Sequence, residues 1–325
     1  MARNDDKGKQ PTLFDAAAGG GEGPVRLPAL SPVKRRLMEA SIAQQQDDPD
    51  ALLYQHTVLC QTGLPYRNPG ADAREWERIN GRAHLKVLAG EAMHPTEGRF
   101  VPVGLPYGPK ARLILIHLNA EAVRTQSPVI EVEDSMTAFV RRLQGRPPTG
   151  PEIQKFKEQL ATLAAASIRL GMIRDNEAIT VNTQIVRQFN LWFPKDGRQR
   201  VLWPSEVQLS LDYFESLARH AVPLDDRAVA ALAHNAMALD IYAWLAQRLH
   251  RVPYGRPQFI TWPILQTQFG WHYNSLRKFR QVFKATLATV HSQYRAARLD
   301  LDEKGLTLYQ SLPPVKGRVA ILPKP

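Results

Sequence analysis

The sequence predicts an α+β chain, two tandem winged-helix domains behind a disordered N-terminal tail. Two observations predict it. The order helix, short strand, short helix, long helix, two-stranded hairpin can be read twice, and a polar stretch poor in core-forming residues precedes both copies. With 325 residues, 44% of them hydrophobic, the chain can fill two ordinary cores. The expected divisions are 1–48 for the tail, 49–200 for the first domain and 201–325 for the second.

The tail carries the Gly19 to Gly21 run, scattered prolines and the stretch QQQDD at 44–48, with Leu13 and Phe14 as its apolar island. Residues 84–88 and 100–103 read as strands joined by a long polar turn. Residues 112–123 have helical spacing, with Leu113, Ile116 and Leu118 apolar, and 128–132 is a short β-branched strand. Asp134 and Ser135 can cap a short helix ending at Leu143. Thr149 can cap the next helix, with Pro151 at an early position where its missing N–H costs nothing. That helix stripes Ile153, Phe156, Leu160 and Leu163, and strands follow at 167–173 and 178–192. In the later half a long helix is predicted over 226–249, carrying Leu232, Ala236, Leu239, Tyr242 and Leu245. A strand at 259–262, a helix at 263–269, a long helix at 274–294 and strands at 297–301 and 306–310 complete the order. The last two flank the turn Asp302, Glu303, Lys304, Gly305.

Charge bounds the partners. There are 42 Lys and Arg against 31 Asp and Glu, a formal charge of +11, which favours a polyanion. No apolar run approaches the about 20 residues that span a bilayer, so no membrane partner is expected. The start of the chain lacks the apolar core of a secretory signal. Cys60, the single cysteine, excludes an internal disulfide and a Cys-rich zinc site. The expectation is a soluble, cytoplasmic protein.

The predicted helix from Asn274 has the two faces that a DNA-reading helix needs. Leu276, Phe279, Phe283, Leu287 and Val290 form its inner stripe, while Asn274, Ser275, Arg277, Lys278, Arg280, Gln281 and Lys284 lie largely off it. From Trp271 to Leu299 there are six Lys or Arg and no Asp or Glu. A solvated face usually mixes signs to gain i,i+4 pairs, whereas a face of one sign repels itself until an anion neutralises it. Arg and Gln can also read the edges of guanine and adenine. The idle reading is a basic surface with no partner. In the first half Gln154, Lys155, Lys157, Arg141 and Arg142 are the candidates, diluted by Glu152 and Glu158. This module is read as contacting phosphates and as a dimer surface, with a purely structural role as its rival.

Nothing in the sequence forms a catalytic constellation, so no enzyme activity, cofactor or metal is expected. No phosphate-binding Gly-x-x-x-x-Gly-Lys loop occurs, and the nine histidines include no His-x-His pair. Glu131 and Glu133 alternate with apolar neighbours as a strand's exposed face, and His117 sits in an apolar helix as a core residue. A nicking or priming enzyme without a recognisable motif is the remaining enzymatic reading.

The tail contains QPTLF at 10–14, which resembles the bacterial sliding-clamp binding motif. Leu13 and Phe14 would fill an apolar pocket while Gln10 sets the register, with affinity limited by the ordering of the segment.

The segments EWERING at 75–81, VGLPYGPKAR at 103–112, SPVIEVEDS at 127–135 and SIRLGM at 167–172 resemble the RepA-type plasmid replication initiator family. The resemblance spans about residues 40–310 and leaves out the start of the tail. It implies a bacterial, plasmid- or nucleoid-associated protein that binds repeats in its own double-stranded origin and brings in the host initiator and helicase. Control by a homodimer is implied on the same ground. A winged-helix transcriptional regulator with no replication role is the alternative.

Overall fold

The computed structural model describes residues 31–46, 52–93, 98–131, 136–174, 177–189 and 206–315. In chain order these form α1 (Pro32–Gln46), β1 (Leu52–His56), α2 (Thr57–Gln61), β2 (Glu75–Asn80), β3 (Ala83–Leu88), β4 (Glu91–Met93) and β5 (Phe100–Pro102). Then come α3 (Gly108–Thr125), β6 (Val129–Glu131), α4 (Met136–Gln144), α5 (Gly150–Ala165), β7 (Ser167–Arg174), β8 (Glu177–Gln184) and β9 (Val186–Phe189). The remainder is β10 (Glu206–Leu209), α6 (Leu211–His220), β11 (Ala221–Asp225), α7 (Asp226–Leu232), α8 (Ala236–Arg248), β12 (Gln258–Thr261), α9 (Trp262–Phe269), α10 (Leu276–Gln293), β13 (Leu299–Leu301) and β14 (Gly305–Leu308). The fold class is α+β, as expected.

Helices that are apolar on nearly every side must lie inside. α3 buries every residue from Ala111 to Ala122, and α8 buries Ala236 to Gln247 except Asp240. They meet through Arg112, whose Nε and Nη2 donate to Asp240 Oδ1 and Oδ2 at 2.6 and 2.7 Å. The remaining guanidinium donors reach the carbonyls of Leu64, Pro65 and Gly108. One hydrophobic cluster runs through both halves, and β1 pairs antiparallel with β11, tying residues 52–56 to 221–225.

The C-terminal unit keeps the predicted order. β12 pairs with β14, and β14 with β13, around the turn at 302–304. The first half departs from expectation in its strand pairing. β7 and β8 pair with each other but also join β3 and β2 in a four-stranded sheet of order β2-β3-β7-β8. Ala83, Leu85 and Val87 alternate inward on β3 and Ile168 and Leu170 on β7, so the sheet buries one face, as period-2 patterns require. β6 pairs instead with β10, which also pairs with β9. β3 therefore has no bond to the 100–103 strand; β5 pairs with β4.

Two further expectations need correction. The stretch assigned to the disordered tail through residue 48 includes α1, which is ordered by packing rather than by propensity. Leu37 lies against the core, Ser41 is buried, and the carbonyls of Leu37 and Ala43 accept from Gln293 Nε2 and Arg227 Nη1 at 2.9 and 3.0 Å. The single helix expected over 226–249 is two, because Asn235 interrupts it and caps α8 through its side chain, accepting from Ala238 N at 3.1 Å. Asp134, Ser135 and residues 190–192 lie outside the described residues.

Candidate nucleic-acid interface

α9 and α10 are held by an aromatic core. The Trp262 ring meets Phe279 and Phe283 edge-on at 6.3 and 5.8 Å, and Phe269 lies 5.7 Å from Phe283. Gly270 ends α9, and a Cβ there would run into the Phe279 ring, so the turn between the two helices closes only on glycine. Ser275 caps α10, accepting from Lys278 N at 3.4 Å. The inner stripe falls where the spacing put it, with Phe279, Phe283, Leu287 and Val290 buried and Leu276 half-buried.

Asn274, Ser275, Arg277, Lys278, Gln281 and Lys284 are all exposed, on the N-terminal part of α10 and the loop before it. Lys278 Nζ donates to Gln281 Oε1 at 3.3 Å. Arg280 is half-buried and differs from the rest. Its guanidinium stacks over Trp262 at 5.1 Å, and Nη2 donates to the Glu303 carbonyl at 3.0 Å. Lys284 Nζ lies over the same ring at 5.7 Å. Arg280 thus braces the helix to the hairpin turn.

The turn is organised by Asp302, whose Oδ1 accepts from the N–H groups of Lys304 and Gly305 at 2.7 and 2.8 Å. Those backbone bonds, Gly305 first, hold its carboxyl below the usual range. Lys304 is exposed at the tip and belongs with the basic set. The sequence-based set of basic candidates does not include it, although it is the only cation in the turn at 302–305.

In the first half Arg141, Arg142, Gln154 and Lys155 are exposed and Lys157 is half-buried. Arg142 Nη2 bonds Glu121 Oε1 at 2.8 Å, and Arg146 pairs with Glu152. The Arg146 guanidinium, with help from Thr149, pulls the Glu152 carboxyl down to about 2 against its own burial. Part of this basic surface is therefore neutralised internally, whereas the α10 face has no carboxylate of its own. His117 is buried edge-on to Phe139, 5.3 Å between centroids. Gln10, Leu13 and Phe14 lie outside the described residues.

Residues 105–263 match the family described as plasmid encoded RepA protein. That stretch resembles the RepA_C family. The RepA_C match covers α3 through the first residues of α9 and stops short of α10. The interface on α10 therefore rests on that helix's own chemistry. Among solved structures, the chain resembles a crystal structure of domains 2 and 3 of RctB at 10% identity and TM-score 0.51. That likeness covers 79% of this chain and 99% of the other. A second structure of RctB domains 2-3 aligns at 10% identity and TM-score 0.47, covering 77% and 94%. At that identity the likeness is one of fold. No curated protein matches the chain. Among the described residues no helix is long and apolar enough to cross a membrane.

Proposed function

We propose that this chain is a plasmid replication initiator that binds repeated sequences at its own origin, with the unit from α8 to β14 acting as a winged helix and α10 as its reading helix. The observation that carries this is the exposed, acid-free face of α10, capped at Ser275 and buttressed by the hairpin, in a chain with a RepA_C segment. Arg277, Lys278, Gln281 and Lys284 supply base-edge and phosphate donors, and Lys304 adds a backbone contact from the hairpin. The first half positions the protein on phosphates through Gln154, Lys155, Lys157, Arg141 and Arg142 and supplies a self-association surface. Catalysis is assigned to the host proteins it recruits, the initiator and helicase, in the cytoplasm. The test is a footprint on DNA flanking the gene: protected direct repeats are the expected result, and uniform or absent protection removes the origin reading.

The QPTLF segment is proposed to engage the host sliding clamp. Changing Leu13→Ala together with Phe14→Ala is expected to abolish pull-down of the clamp and leave DNA affinity as it was. Retained capture by the double variant would end that assignment.

A further inference from the structure

At the C-terminal end of α4, which packs against α3, α5 and α7, one buried side-chain donor is left without a partner. Gln144, at the end of α4, is 4% exposed. Its Oε1 accepts from Lys110 Nζ at 3.2 Å and lies 3.5 Å from Arg146 Nη2. Its Nε2 is buried and has no hydrogen-bond partner. Turning the amide over would aim its NH2 group at two cations, so those cations fix the orientation and leave the donor stranded. A stranded buried donor is destabilising unless something supplies an acceptor.

The charges around it point the same way. Lys110 lies 5.0 Å over the Phe156 ring. Burial lowers its pKa most; Glu152 opposes this, while Arg146, Lys155 and Arg36 add to it. His234, in the turn between α7 and α8, is held down by burial and then by Arg36, with Lys110 contributing less. Glu152 is the one carboxylate among these influences, and it is already committed to Arg146 and the Thr149 cap. Neither α1 nor α3 has an acidic residue in its first turn, yet Arg36 and Lys110 stand near those ends. A cation at the positive end of a helix dipole is unfavourable without an anion beside it.

We infer that this junction is a binding site for a phosphate group, with Gln144 Nε2, Lys110 and Arg36 as donors and the exposed Lys155 at its mouth. A phosphate offers several acceptor oxygens and enough charge to offset the cations left over by the Arg146–Glu152 pair. Two sources carry that chemistry, a soluble phosphate and a phosphate of the DNA backbone. The site draws its donors from α1, α3, α4 and α5. It stands apart from the reading of α10, and the first measurement below contains no DNA.

The test uses the full chain and inorganic phosphate, followed by thermal shift and phosphorus NMR against chloride at equal ionic strength. Phosphate is expected to raise the melting temperature beyond the chloride control. Lys110→Met and Gln144→Leu are each expected to weaken phosphate binding about tenfold or more. Without phosphate, Gln144→Glu, which keeps the oxygen that accepts from Lys110 Nζ and removes only the stranded donor, should melt no lower than the parent; a merely structural glutamine would not behave so. If Lys110→Met fails to fold, Lys155→Gln at the exposed mouth gives the same reading. In the second measurement, a short duplex is titrated across salt concentrations. A salt slope smaller by about one for Lys110→Met identifies the DNA backbone as a source. A phosphate response with an unchanged slope identifies a soluble phosphate. Neither response, or a phosphate response that the variants keep in full, overturns the site.

Discussion

Arg277 and Gln281 stand one turn apart on the exposed side of α10, and no carboxylate between Trp271 and Leu299 can neutralise them. Replacing either by alanine is expected to weaken binding to the cognate site by about 1–3 kcal/mol and to relax its sequence preference. A gel-shift series with unchanged affinity and preference for both variants would remove α10 as the reading helix. These positions were legible in the sequence because the stripe of Phe279, Phe283 and Val290 leaves them nowhere to go but outward. Arg280 was not, because its partner is the Glu303 carbonyl, 23 residues further on. Spacing cannot show that such a side chain has been claimed by a distant turn.

His56 poses another question at this scale. Its Nδ1 accepts from Val58 N at 3.2 Å, so Nε2 carries the proton toward Ser216 Oγ at 3.0 Å, and the ring is buried and neutral. Burial first, and His220 second, push its pKa from 6.5 down to about 3. The unfolded chain takes up a proton near pH 6.5 that the folded chain refuses, so stability falls as pH falls between those values. The slope for one such group is about 1.4 kcal/mol per pH unit. Urea unfolding between pH 7 and 5 is expected to show this loss, and His56→Gln to flatten it by one proton's share. An equal slope in the variant would mean that His56 is not the group responsible.

Among the elements, the hairpin after α10 decides whether the unit holds its shape. β14 lies between β12 and β13, and Gly305 begins it where a Cβ would collide with the Ile260 carbonyl oxygen. Gly305→Ala is expected to push β14 off β12, lowering stability by about 1–3 kcal/mol and weakening DNA binding in proportion. Chemical denaturation that matches the parent would show that the turn can yield without cost. The order from β12 to β14 could be read from sequence because its signals are local: the stripe of Leu276, Phe279, Phe283 and Leu287 at three- and four-residue steps, and a turn with Asp302 and Gly305. β6 defeated the same approach. Three residues carry too little pattern to name a partner, and the partner, β10, lies 77 residues downstream (Ile130 opposite Val207). α1 escaped for a related reason, since Leu37 and Ser41 find cover only against the folded core.

At the scale of the whole molecule, the halves are joined by buried contacts that no local pattern announces, chief among them Arg112 with Asp240. The side chains are 4% and 13% exposed, and the guanidinium also holds the carbonyls of Leu64, Pro65 and Gly108. Two charges so placed gain little over an apolar pair of the same shape, but either one left alone is costly. Asp240→Leu should therefore lower unfolding stability by about 3–5 kcal/mol. The double change Arg112→Met with Asp240→Leu should recover the charge term but not the whole loss, because it leaves three carbonyls without their donor. Denaturant titrations of the parent, both single variants and the double variant measure the coupling directly. Additive losses would mean that the two residues act independently and that the bridge does not hold α3 to α8. A large coupling would place the joint between the halves in this pair, and damage there should reach DNA affinity even though no residue of the pair lies on α10.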